Sequence, residues 1–599
     1  MTTAEPDSPS TADSAASSTA DSAADARDGA LPAGREGHGT PAGNAPAGAG
    51  RLLRDPVTIA VVTAGLLHLL WFRFVANSGG DIASQDAWAG FVGRHPGSAY
   101  DFAWYGGIHP MSYSVVSSYV MAAFGVRTTT VIAGTLSAGL LAFVLTRCAG
   151  VRRPLLPALW GAVALACNAA SGRATFGLGM LFGLATVAVV FRRESDDRAD
   201  SPARQRRLRS AAVVLFSLLA TAASPVAGLF LGLVGSALFL RGRRAAACAV
   251  ALPPVVVVGA SALLFPFEGI QPLALGTVAQ PLMYTAAVLL TAPRRWCTVR
   301  AGAAVYAVGA AVTWLVPSPV GSNVERLVLL FGGTALLAAA GEHHTGGRTL
   351  RLLRLSVAGL ALTGLVTWTF HKTVSDIRLT TPDTAWASGL PPLVEQLRRA
   401  HAERGRAEVV PPRSHREASA LAPYVNLARG WNRQVDMKRN GLFYDGTLDA
   451  ANYRAWLHRW AVRYVVLPTR SRPDIGAEEE TELVSAGLPY LSEVWSDADW
   501  KLFRVQDPTP LAGPSASVIR AGESGTVLSV RSAGQVLVRI QWSPWLALVD
   551  ADGRRVKGPS SRDGCLTEAD RWTRLTAPEP GVYRIAAPYG LSRGTPCSK

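Results

Sequence analysis

The chain has 599 residues, of which 17% are charged and 49% are apolar, and its mean hydropathy is +0.20. These values exclude a wholly water-soluble protein and predict several membrane spans. The formal net charge of +16 does not indicate nucleic-acid binding, because the surplus Lys and Arg residues lie largely in short loops between apolar segments, where they set topology and face anionic lipid.

The first 50 residues are rich in Ala, Ser, Gly, Asp and Pro and hold almost no large apolar side chain. Such a segment cannot bury enough surface to offset the entropy of ordering, so we expect residues 1–50 to be a disordered tail. The tail has no basic region that runs directly into an apolar core, which argues against a secretory signal. Arg51 and Arg54 precede the first apolar segment, and this basic flank predicts that the tail is cytoplasmic.

Twelve apolar segments follow the tail, and the basic loops between them decide which ones cross the membrane. The linker at 192–209 is the most basic and must be cytoplasmic, so an odd number of crossings separates it from the end of the first segment. Four segments lie in between, and 113–125 is the weakest, since its 13 residues are fewer than the ~20 that a span needs. We therefore predict a juxtamembrane or re-entrant helix there, together with about eleven spans. The predicted spans are 56–76, 128–146, 154–170, 174–191, 210–223, 226–240, 245–264, 273–292, 301–316, 324–340 and 353–370.

The loop at Asn77–Met111, just after the first span, is our candidate for the reactive centre. It holds acids and histidines among aromatic residues at the predicted outer edge of the bilayer. Charged groups cost free energy there unless something pairs with them or uses them. Polar groups that converge from several helix ends are what a binding cavity requires, although short loops are also polar without any functional reason. The candidates are Asp81, Gln85, Asp86 and His109 in this loop, and Arg173, Glu268, Gln271, Asn323 and Arg326 in later outer loops.

After His371 the composition becomes that of an exported, water-soluble region. Residues 373–510 alternate helical and strand patterns, among them an amphipathic helix at 391–404 and a buried strand at 463–467, and they predict an α/β domain. The run Gly430–Tyr444 mixes polar and aromatic residues in a way that is unusual for a helix core. We therefore regard it as a surface that could face the membrane cavity.

Residues 511–599 contain short β segments punctuated by Gly and Pro, which predict a small antiparallel β-sandwich. Cys565 and Cys597 are the only cysteines outside the membrane region and are candidates for a disulfide. Trp542 and Trp545 lie close together and could contact a sugar ring or simply belong to the core. No phosphate-binding loop, hydrolase motif or metal-binding motif occurs, and the sequence leaves a requirement for a divalent cation open.

Several short motifs resemble those of the GT-C glycosyltransferase superfamily. Its members have an acid soon after the first span, a membrane-edge loop ending in His-Pro, many further spans and an exported C-terminal region. The segments that carry the likeness are GGDIASQDAW, YGGIHPMSYSV, SGRATFGLGM, TAASPVAGLFLGL and GSNVERL. They look like those of actinobacterial relatives of the superfamily's arabinofuranosyl- and mannosyltransferases, over roughly residues 56–371. The family's paired adjacent acids are absent, since Ile82 follows Asp81, which leaves open whether Asp81 acts alone or with Asp86.

The resemblance implies a mostly α-helical, polytopic GT-C-like domain at 51–372. It also implies transfer of a sugar from a polyprenyl-phosphate donor to a cell-envelope glycan or another acceptor on the outer face of the plasma membrane. The lipid tail of such a donor stays in the bilayer, so the active site must lie at the interface. The implied roles are general base for Asp81, contact with the leaving phosphate for Arg173 and Arg326, and substrate positioning for Gln85, His109, Glu268, Gln271 and Asn323.

Two other classes of protein fit part of the sequence. A secondary transporter would have many spans and interior polar residues, but no inverted repeat is visible. In addition, the charged groups cluster at one face, whereas a transport path needs them near the midplane of the bilayer. A non-catalytic surface protein would have a large exported region, but it would not explain the acidic first loop. The predicted transferase activity therefore depends on that loop and not on the fold.

Overall fold

A computed structural model describes residues 54–148, 151–192, 203–342, 347–556 and 564–597. The predicted disordered tail at 1–50 and most of the linker at 192–209 lie outside the described residues. In chain order, the described part contains a helical bundle, an α/β part and a β-sandwich.

All eleven predicted spans are helices. Within the described ranges, seven helices are long and apolar enough to cross a membrane, and three further apolar helices are shorter. The remaining one, at Ala203–Ala223, has 21 residues but begins with a basic turn. The helices thus indicate a multi-pass membrane protein, whereas the exact number of spans stays a prediction. The helices of the bundle are α1 (Pro56–Leu70), α2 (Asp81–Arg94), α3 (Ser117–Phe124), α4 (Val126–Phe143), α5 (Leu155–Ala170), α6 (Ala174–Phe191), α7 (Ala203–Ala223), α8 (Pro225–Leu240), α9 (Arg244–Leu264), α10 (Leu275–Thr291), α11 (Cys297–Leu315), α12 (Glu325–Ala340) and α13 (Arg348–Thr380).

Small side chains let the helices of the bundle approach one another closely. Ala64 of α1, Ala138 of α4 and Ala158 of α5 are all fully buried in one cluster. Lipid tails are as apolar as Leu, so membrane helices associate through this close packing and not through exclusion of water. Large apolar side chains on other helices, such as Val255 and Leu360, are exposed and suit contact with lipid.

The weak segment at 113–125 contains only α3, which ends at Gly125 with a φ of 83°. Its eight residues extend for about 12 Å, far less than the ~30 Å of a hydrocarbon core. The backbone N–H groups of Val115 and Val116 both donate to the Ala222 carbonyl oxygen, at 2.9 and 3.1 Å, and tie the start of α3 to the end of α7. The segment is therefore no span, as predicted.

The α/β part follows α13. Its strands are β1 (Arg406–Val409), β2 (Val462–Pro468), β3 (Leu491–Ser496) and β4 (Trp500–Val505), and its helices are α14 (Ala385–Ser388), α15 (Leu390–Arg399), α16 (Glu417–Ala420), α17 (Arg433–Arg439), α18 (Ala450–Arg459) and α19 (Glu478–Ser485). The sheet order is β1-β2-β4-β3, with β1 and β2 parallel and the other neighbours antiparallel. The predicted amphipathic helix corresponds to α15 and the predicted buried strand to β2.

The β-sandwich consists of β5 (Ala516–Gly522), β6 (Gly525–Val530), β7 (Gly534–Gln541), β8 (Ala547–Val549), β9 (Cys565–Ala569), β10 (Trp572–Ala577) and β11 (Gly581–Ala586). These strands form two antiparallel sheets, β5-β6-β11-β8 and β7-β10-β9. Leu528 of the first sheet and Leu575 of the second are fully buried in one core. Cys565 and Cys597 form a disulfide, so the sandwich and its candidate disulfide are both confirmed.

The second half of the first loop packs into the core of the C-terminal region. Trp104 and Tyr105 are fully buried in the core of the α/β part, and the Trp104 indole N–H donates to the Ala418 carbonyl oxygen at 3.1 Å. The N–H of Gln541 in β7 donates to the Gly106 carbonyl oxygen at 2.8 Å. The interpretation of the whole loop as a reactive centre is therefore wrong for residues 98–109, whose aromatic side chains hold the regions together.

Candidate functional site

A cavity of about 740 Å³ lies where the ends of the membrane helices meet the α/β part. We call this end of the bundle the cavity face. It carries the C-terminal ends of α5, α7 and α13 and the N-terminal ends of α2, α6, α8 and α12. The structure brings five of the predicted site residues together here, because Asp81, Arg173, Gln271, Asn323 and Arg326 all line the cavity. Their chemical roles stay predictions.

Close packing of two glycines fixes Asp81 at the first turn of α2. A Cβ atom at Gly79 would lie 1.9 Å from the Thr380 carbonyl oxygen, and Gly80 has a φ of 59°, which favours glycine. The Gly80 N–H also donates to the Ser414 carbonyl oxygen at 2.6 Å. The chain therefore passes tightly between the end of α13 and the α/β part just before it reaches Asp81, whose carboxylate is left 38% exposed.

Two arginines lie on the bundle side of the cavity. The Arg326 guanidinium lies over the Phe176 ring, 5.2 Å from its centroid, and its Nη2 is 4.0 Å from Asp81 Oδ2. Arg173 Nη2 donates to Asp376 Oδ2 at 3.4 Å. Because 4.0 Å exceeds hydrogen-bond distance, Arg326 is the less tightly paired of the two. Its guanidinium thus retains N–H groups that can bind an anionic ligand.

Gln85 and Asp86 are on the same helix as Asp81 but do not line the cavity. The Gln85 side chain donates to the Gly172 carbonyl oxygen at 2.7 Å and accepts from the Thr175 N–H at 3.3 Å, so it holds the loop that carries Arg173. The Asp86 carboxylate forms an ion pair with Arg127. The structure therefore does not bring Gln85 and Asp86 into the cavity with Asp81, and their predicted direct roles in substrate binding and catalysis stay predictions.

His109 and Glu268 lie beside a separate cavity of about 60 Å³. His109 is buried between the Ala99 carbonyl oxygen, 2.8 Å from its Nδ1, and the Ser543 hydroxyl, 3.1 Å from its Nε2. Burial lowers the pKa of His109 to about 4, so its imidazole is neutral at ordinary pH. The Glu268 side chain is 61% exposed, with Oε2 3.7 Å from Arg439 Nε. Neither lines the large cavity, which corrects their predicted place beside Asp81.

Gln271 and Asn323 form a polar edge of the large cavity. Gln271 Nε2 donates to the Ser322 hydroxyl at 3.2 Å, and its Oε1 accepts from Gln434 Nε2, also at 3.2 Å. Asn323 Nδ2 donates to the Val320 carbonyl oxygen at 2.8 Å. This edge connects the start of α12 to the α/β part, because Gln434 belongs to α17.

The opposite wall of the cavity comes from three separate segments of the α/β part. The His415 and Trp431 rings stack with centroids 3.4 Å apart and planes inclined by 8°. Arg433 lies over the Trp431 ring, 5.0 Å from its centroid, and forms a two-pronged ion pair with Asp474 at 2.6 and 2.7 Å. His415 is buried between the carboxylates of Glu417 and Asp474, at 3.2 and 3.3 Å. We call His415, Trp431, Arg433 and Asp474 the aromatic wall.

The charges of the aromatic wall are tightly coupled. Burial alone would lower the pKa of His415, but its hydrogen bonds and charge interactions with Asp474 and Glu417 outweigh burial, so the pKa is raised. Burial opposes ionisation of Asp474 as well, yet His415 and Arg433 hold the pKa of this carboxyl below its usual range. His415 also has a φ of 49°, which is uncommon for a residue with a side chain. Backbone strain of this kind concentrates at functional sites.

Two of the four residues of the aromatic wall were not predicted from the sequence. The run Gly430–Tyr444 was a candidate surface for the cavity, and the structure confirms that Trp431 and Arg433 of this run line it. His415 and Asp474 lie in loops far apart in the sequence, and neither belongs to a recognisable motif. Among the described residues, no group of three or more His, Cys, Asp or Glu side chains could hold a metal ion.

Residues 513–599, which correspond to the β-sandwich, match a family described as a domain of unknown function, DUF8823. No curated protein matches the chain.

Three of the solved structures similar to this chain are AftD, an oligosaccharyltransferase and ArnT. The cryo-EM structure of arabinofuranosyltransferase AftD from Mycobacteria shares 13% identity over 80% of this chain, with a TM-score of 0.44, and this chain spans 41% of its length. An Archaeoglobus fulgidus oligosaccharyltransferase tethered with an acceptor peptide shares 8% identity over 69% of each chain, with a TM-score of 0.44. ArnT from Cupriavidus metallidurans bound to undecaprenyl phosphate shares 13% identity over 76% of this chain and 98% of its own, with a TM-score of 0.37. These TM-scores lie below 0.5, so what the chain does must be inferred from the cavity.

Proposed function

We propose that the protein is a membrane glycosyltransferase that moves a sugar from a polyprenyl-phosphate donor to a cell-envelope glycan on the outer face of the plasma membrane. The observation that carries this proposal is the position of Asp81, which lines a 740 Å³ cavity at the helix ends with Arg326 4.0 Å away. A base that lies so near to a cation suits a reaction in which a proton is removed and an anion departs. The charged groups at one end of the bundle favour this reaction over transport across it.

In the proposed reaction, Asp81 accepts the proton from an acceptor hydroxyl as the hydroxyl oxygen attacks the anomeric carbon of the donor. The bond between that carbon and the phosphate oxygen breaks, and the phosphate leaves with the bonding electron pair. Arg326 and Arg173 stabilise the charge that grows on the phosphate, in a site where burial strengthens such contacts. A single displacement by an activated hydroxyl inverts the anomeric configuration.

The apolar part of the cavity lining provides a route for the lipid tail of the donor. Val226 at the start of α8 and Leu379 at the end of α13 line the same cavity as Asp81 and Arg326. A polyprenyl chain that leaves the cavity beside these residues enters the bilayer without crossing water. The donor phosphate then lies at the level of the helix ends, within reach of both arginines.

We assign acceptor recognition to the aromatic wall of the α/β part. Indole rings pack well against the apolar C–H face of a sugar, while neighbouring charged groups bind its hydroxyls. Trp431 lines the cavity, whereas Trp545 of the sandwich is buried and stacks on Phe265 with centroids 5.3 Å apart. Trp542 lies beside the separate small cavity. The proposed organisation has a cytoplasmic tail at 1–50, a catalytic domain at 51–372, and exported domains at 373–510 and 511–599.

The experiment that tests the proposal compares Asp81→Asn with Asp86→Asn in the full-length protein in nanodiscs. The assay measures incorporation of labelled sugar into cell-envelope glycan from actinobacterial lipid extracts that contain labelled polyprenyl-phosphate sugars. Asp81→Asn removes the base and should lower the transfer rate by ~10²-fold or more. Asp86→Asn keeps a hydrogen-bonding side chain beside Arg127 and should have a much smaller effect.

Binding of polyprenyl phosphate, measured by thermal shift, controls for loss of the folded cavity and should be retained by both variants. Equal and small losses of transfer in the two variants would show that Asp81 is an ordinary solvated acid. A Trp431→Ala variant should retain donor binding while the KM for the acceptor rises. Loss of donor binding in a folded Trp431→Ala protein would contradict the division of the cavity into donor and acceptor sides.

A further inference from the structure

One tip of the β-sandwich, residues 589–593, lies against the short helix α3 and the C-terminal end of α9. The Tyr589 hydroxyl is 3.1 Å from that of Tyr119 on the short helix α3. Arg593 Nη1 donates to the Leu263 carbonyl oxygen at 3.4 Å, in the last turn of α9. Next to the tip, the Trp545 indole N–H donates to the Leu264 carbonyl oxygen at 2.7 Å. The tip is thus fixed beside the end of α9, one of the helices that are long and apolar enough to cross a membrane.

The tip presents an uncovered leucine. Leu591 is 111% exposed, more than a leucine in an extended reference chain, and Leu263 at the end of α9 is 78% exposed. Isolated exposed apolar side chains are common on protein surfaces and need no explanation. Here, however, Leu591 lies between Tyr589, which contacts the short helix α3, and Arg593, which contacts the last turn of α9. Its surroundings are therefore those of a membrane surface.

Two basic side chains flank Leu591. The Arg555 guanidinium donates to both the carbonyl oxygen and the hydroxyl of Ser592, so Arg555 is held on the tip. Arg593 is held against α9 as described above. Neither guanidinium has a carboxylate partner among the described residues. An apolar side chain flanked by arginines matches a lipid surface, because the leucine enters the acyl region while the guanidinium groups remain at the level of the phosphates.

We propose that the tip anchors the β-sandwich on the membrane, with Leu591 inserted into the adjacent leaflet and with Arg555 and Arg593 bound to anionic phospholipid headgroups. This anchor would fix the sandwich relative to the bundle. The sandwich contacts the loop at 98–109, which in turn packs against the α/β part that carries the aromatic wall. The anchor therefore supports the geometry of the cavity from outside, and its existence does not depend on the proposed transferase activity.

A cysteine at position 591 tests the anchor without an activity assay. In full-length protein with Cys148, Cys248 and Cys297 replaced by Ser, Leu591→Cys is labelled with the environment-sensitive fluorophore NBD. The protein is placed in nanodiscs that contain phosphatidylglycerol and lipids with a nitroxide on the acyl chain. Val582→Cys is the matched control, because Val582 is an exposed apolar residue of the same sandwich at the opposite end of β11. Both substitutions replace exposed side chains, so neither should disturb folding.

The anchor predicts that the lipid nitroxide quenches most of the NBD emission from position 591 and little of the emission from position 582. In the labelled Leu591→Cys protein, the combined substitutions Arg555→Gln and Arg593→Gln should reduce this quenching. Replacement of phosphatidylglycerol by phosphatidylcholine should reduce it as well. Quenching at 591 by aqueous iodide but not by the lipid nitroxide would overturn the proposal. Equal quenching at 591 and 582 would overturn it as well. If neither the arginine substitutions nor the change of lipid charge alters the quenching at position 591, the assignment of the arginines to anionic headgroups is refuted.

Discussion

Gly80→Ala tests whether the backbone on either side of Asp81 determines its position. Gly80 has a φ of 59° and a ψ of −140°, a region that is essentially restricted to glycine. A Cβ atom there would lie 2.6 Å from Thr380 Cγ2, well inside the ~3.5–4.0 Å at which carbon atoms make favourable contact. The substitution therefore combines a backbone cost with a steric clash.

The two costs can be given magnitudes. Backbone strain of this kind is about 1–3 kcal/mol, and overpacking of a well-packed site is typically about 1–3 kcal/mol. Even the lower sum, about 2 kcal/mol, would reduce the population of the native loop geometry by about 30-fold, since about 1.4 kcal/mol corresponds to a factor of ten. If only that geometry places Asp81 beside the acceptor, the transfer rate should fall by a similar factor.

The assay is sugar transfer by the full-length protein in nanodiscs, together with its midpoint of thermal unfolding. Gly97→Ala is the matched control, because a Cβ atom at Gly97, in the same loop, would meet nothing within 4 Å. Adding Thr380→Ser to Gly80→Ala removes the clashing methyl group but keeps the hydroxyl that donates to the backbone carbonyl oxygen of Asp376, so it should restore only part of the rate. Wild-type transfer in Gly80→Ala would refute the claim that this backbone positions Asp81.

Three further predictions concern topology, pH and the disulfide. If the linker at 192–209 is cytoplasmic, Ser201→Cys should resist an impermeant thiol reagent in intact cells, and labelling there would contradict the eleven-span topology. The pKa of His415 is raised in the folded protein, so protonated His415 stabilises the fold. This stabilisation is fully present below the ordinary histidine pKa of 6.5 and is lost as pH rises through the pKa of the folded state. Between pH 6 and 9 the wild-type melting temperature should therefore fall more steeply than that of His415→Asn, and parallel curves would exclude this role. Replacing both Cys565 and Cys597 by Ser removes a disulfide that spans a sequence separation of 32. In a loop-entropy model this should lower the free energy of unfolding by about 3–4 kcal/mol and lower the melting temperature. An unchanged melting temperature would show that the bond adds no stability.

The sequence predicted the helices and part of the cavity for a common reason. Long apolar runs form helices because the backbone must satisfy its own hydrogen bonds in lipid, whatever the rest of the fold does. Once the topology was assigned, the loops that carry Asp81, Arg173 and Arg326 had to lie on one face. Their convergence therefore followed from the number of crossings and required no knowledge of tertiary contacts.

The parts that escaped prediction depend on contacts between distant segments. His109 resembled a site residue because a polar ring at a membrane edge needs a partner, and its partner proved to be Ser543, 434 positions later. Asp86 resembled a second catalytic acid until the structure paired it with Arg127. His415 and Asp474 became neighbours only through the folding of the α/β part. Neither local composition nor spacing carries information about such contacts.

The most direct test of the central claim is a cryo-EM map of the full-length protein in nanodiscs with bound polyprenyl phosphate. The proposed donor site predicts phosphate density within hydrogen-bond distance of Arg326 or Arg173, in the cavity that Asp81 lines. It also predicts that the lipid chain leaves the cavity past Val226 and Leu379 towards the bilayer. Phosphate density on a different surface of the protein, with the 740 Å³ cavity empty, would contradict the assignment of this cavity as the site of sugar transfer.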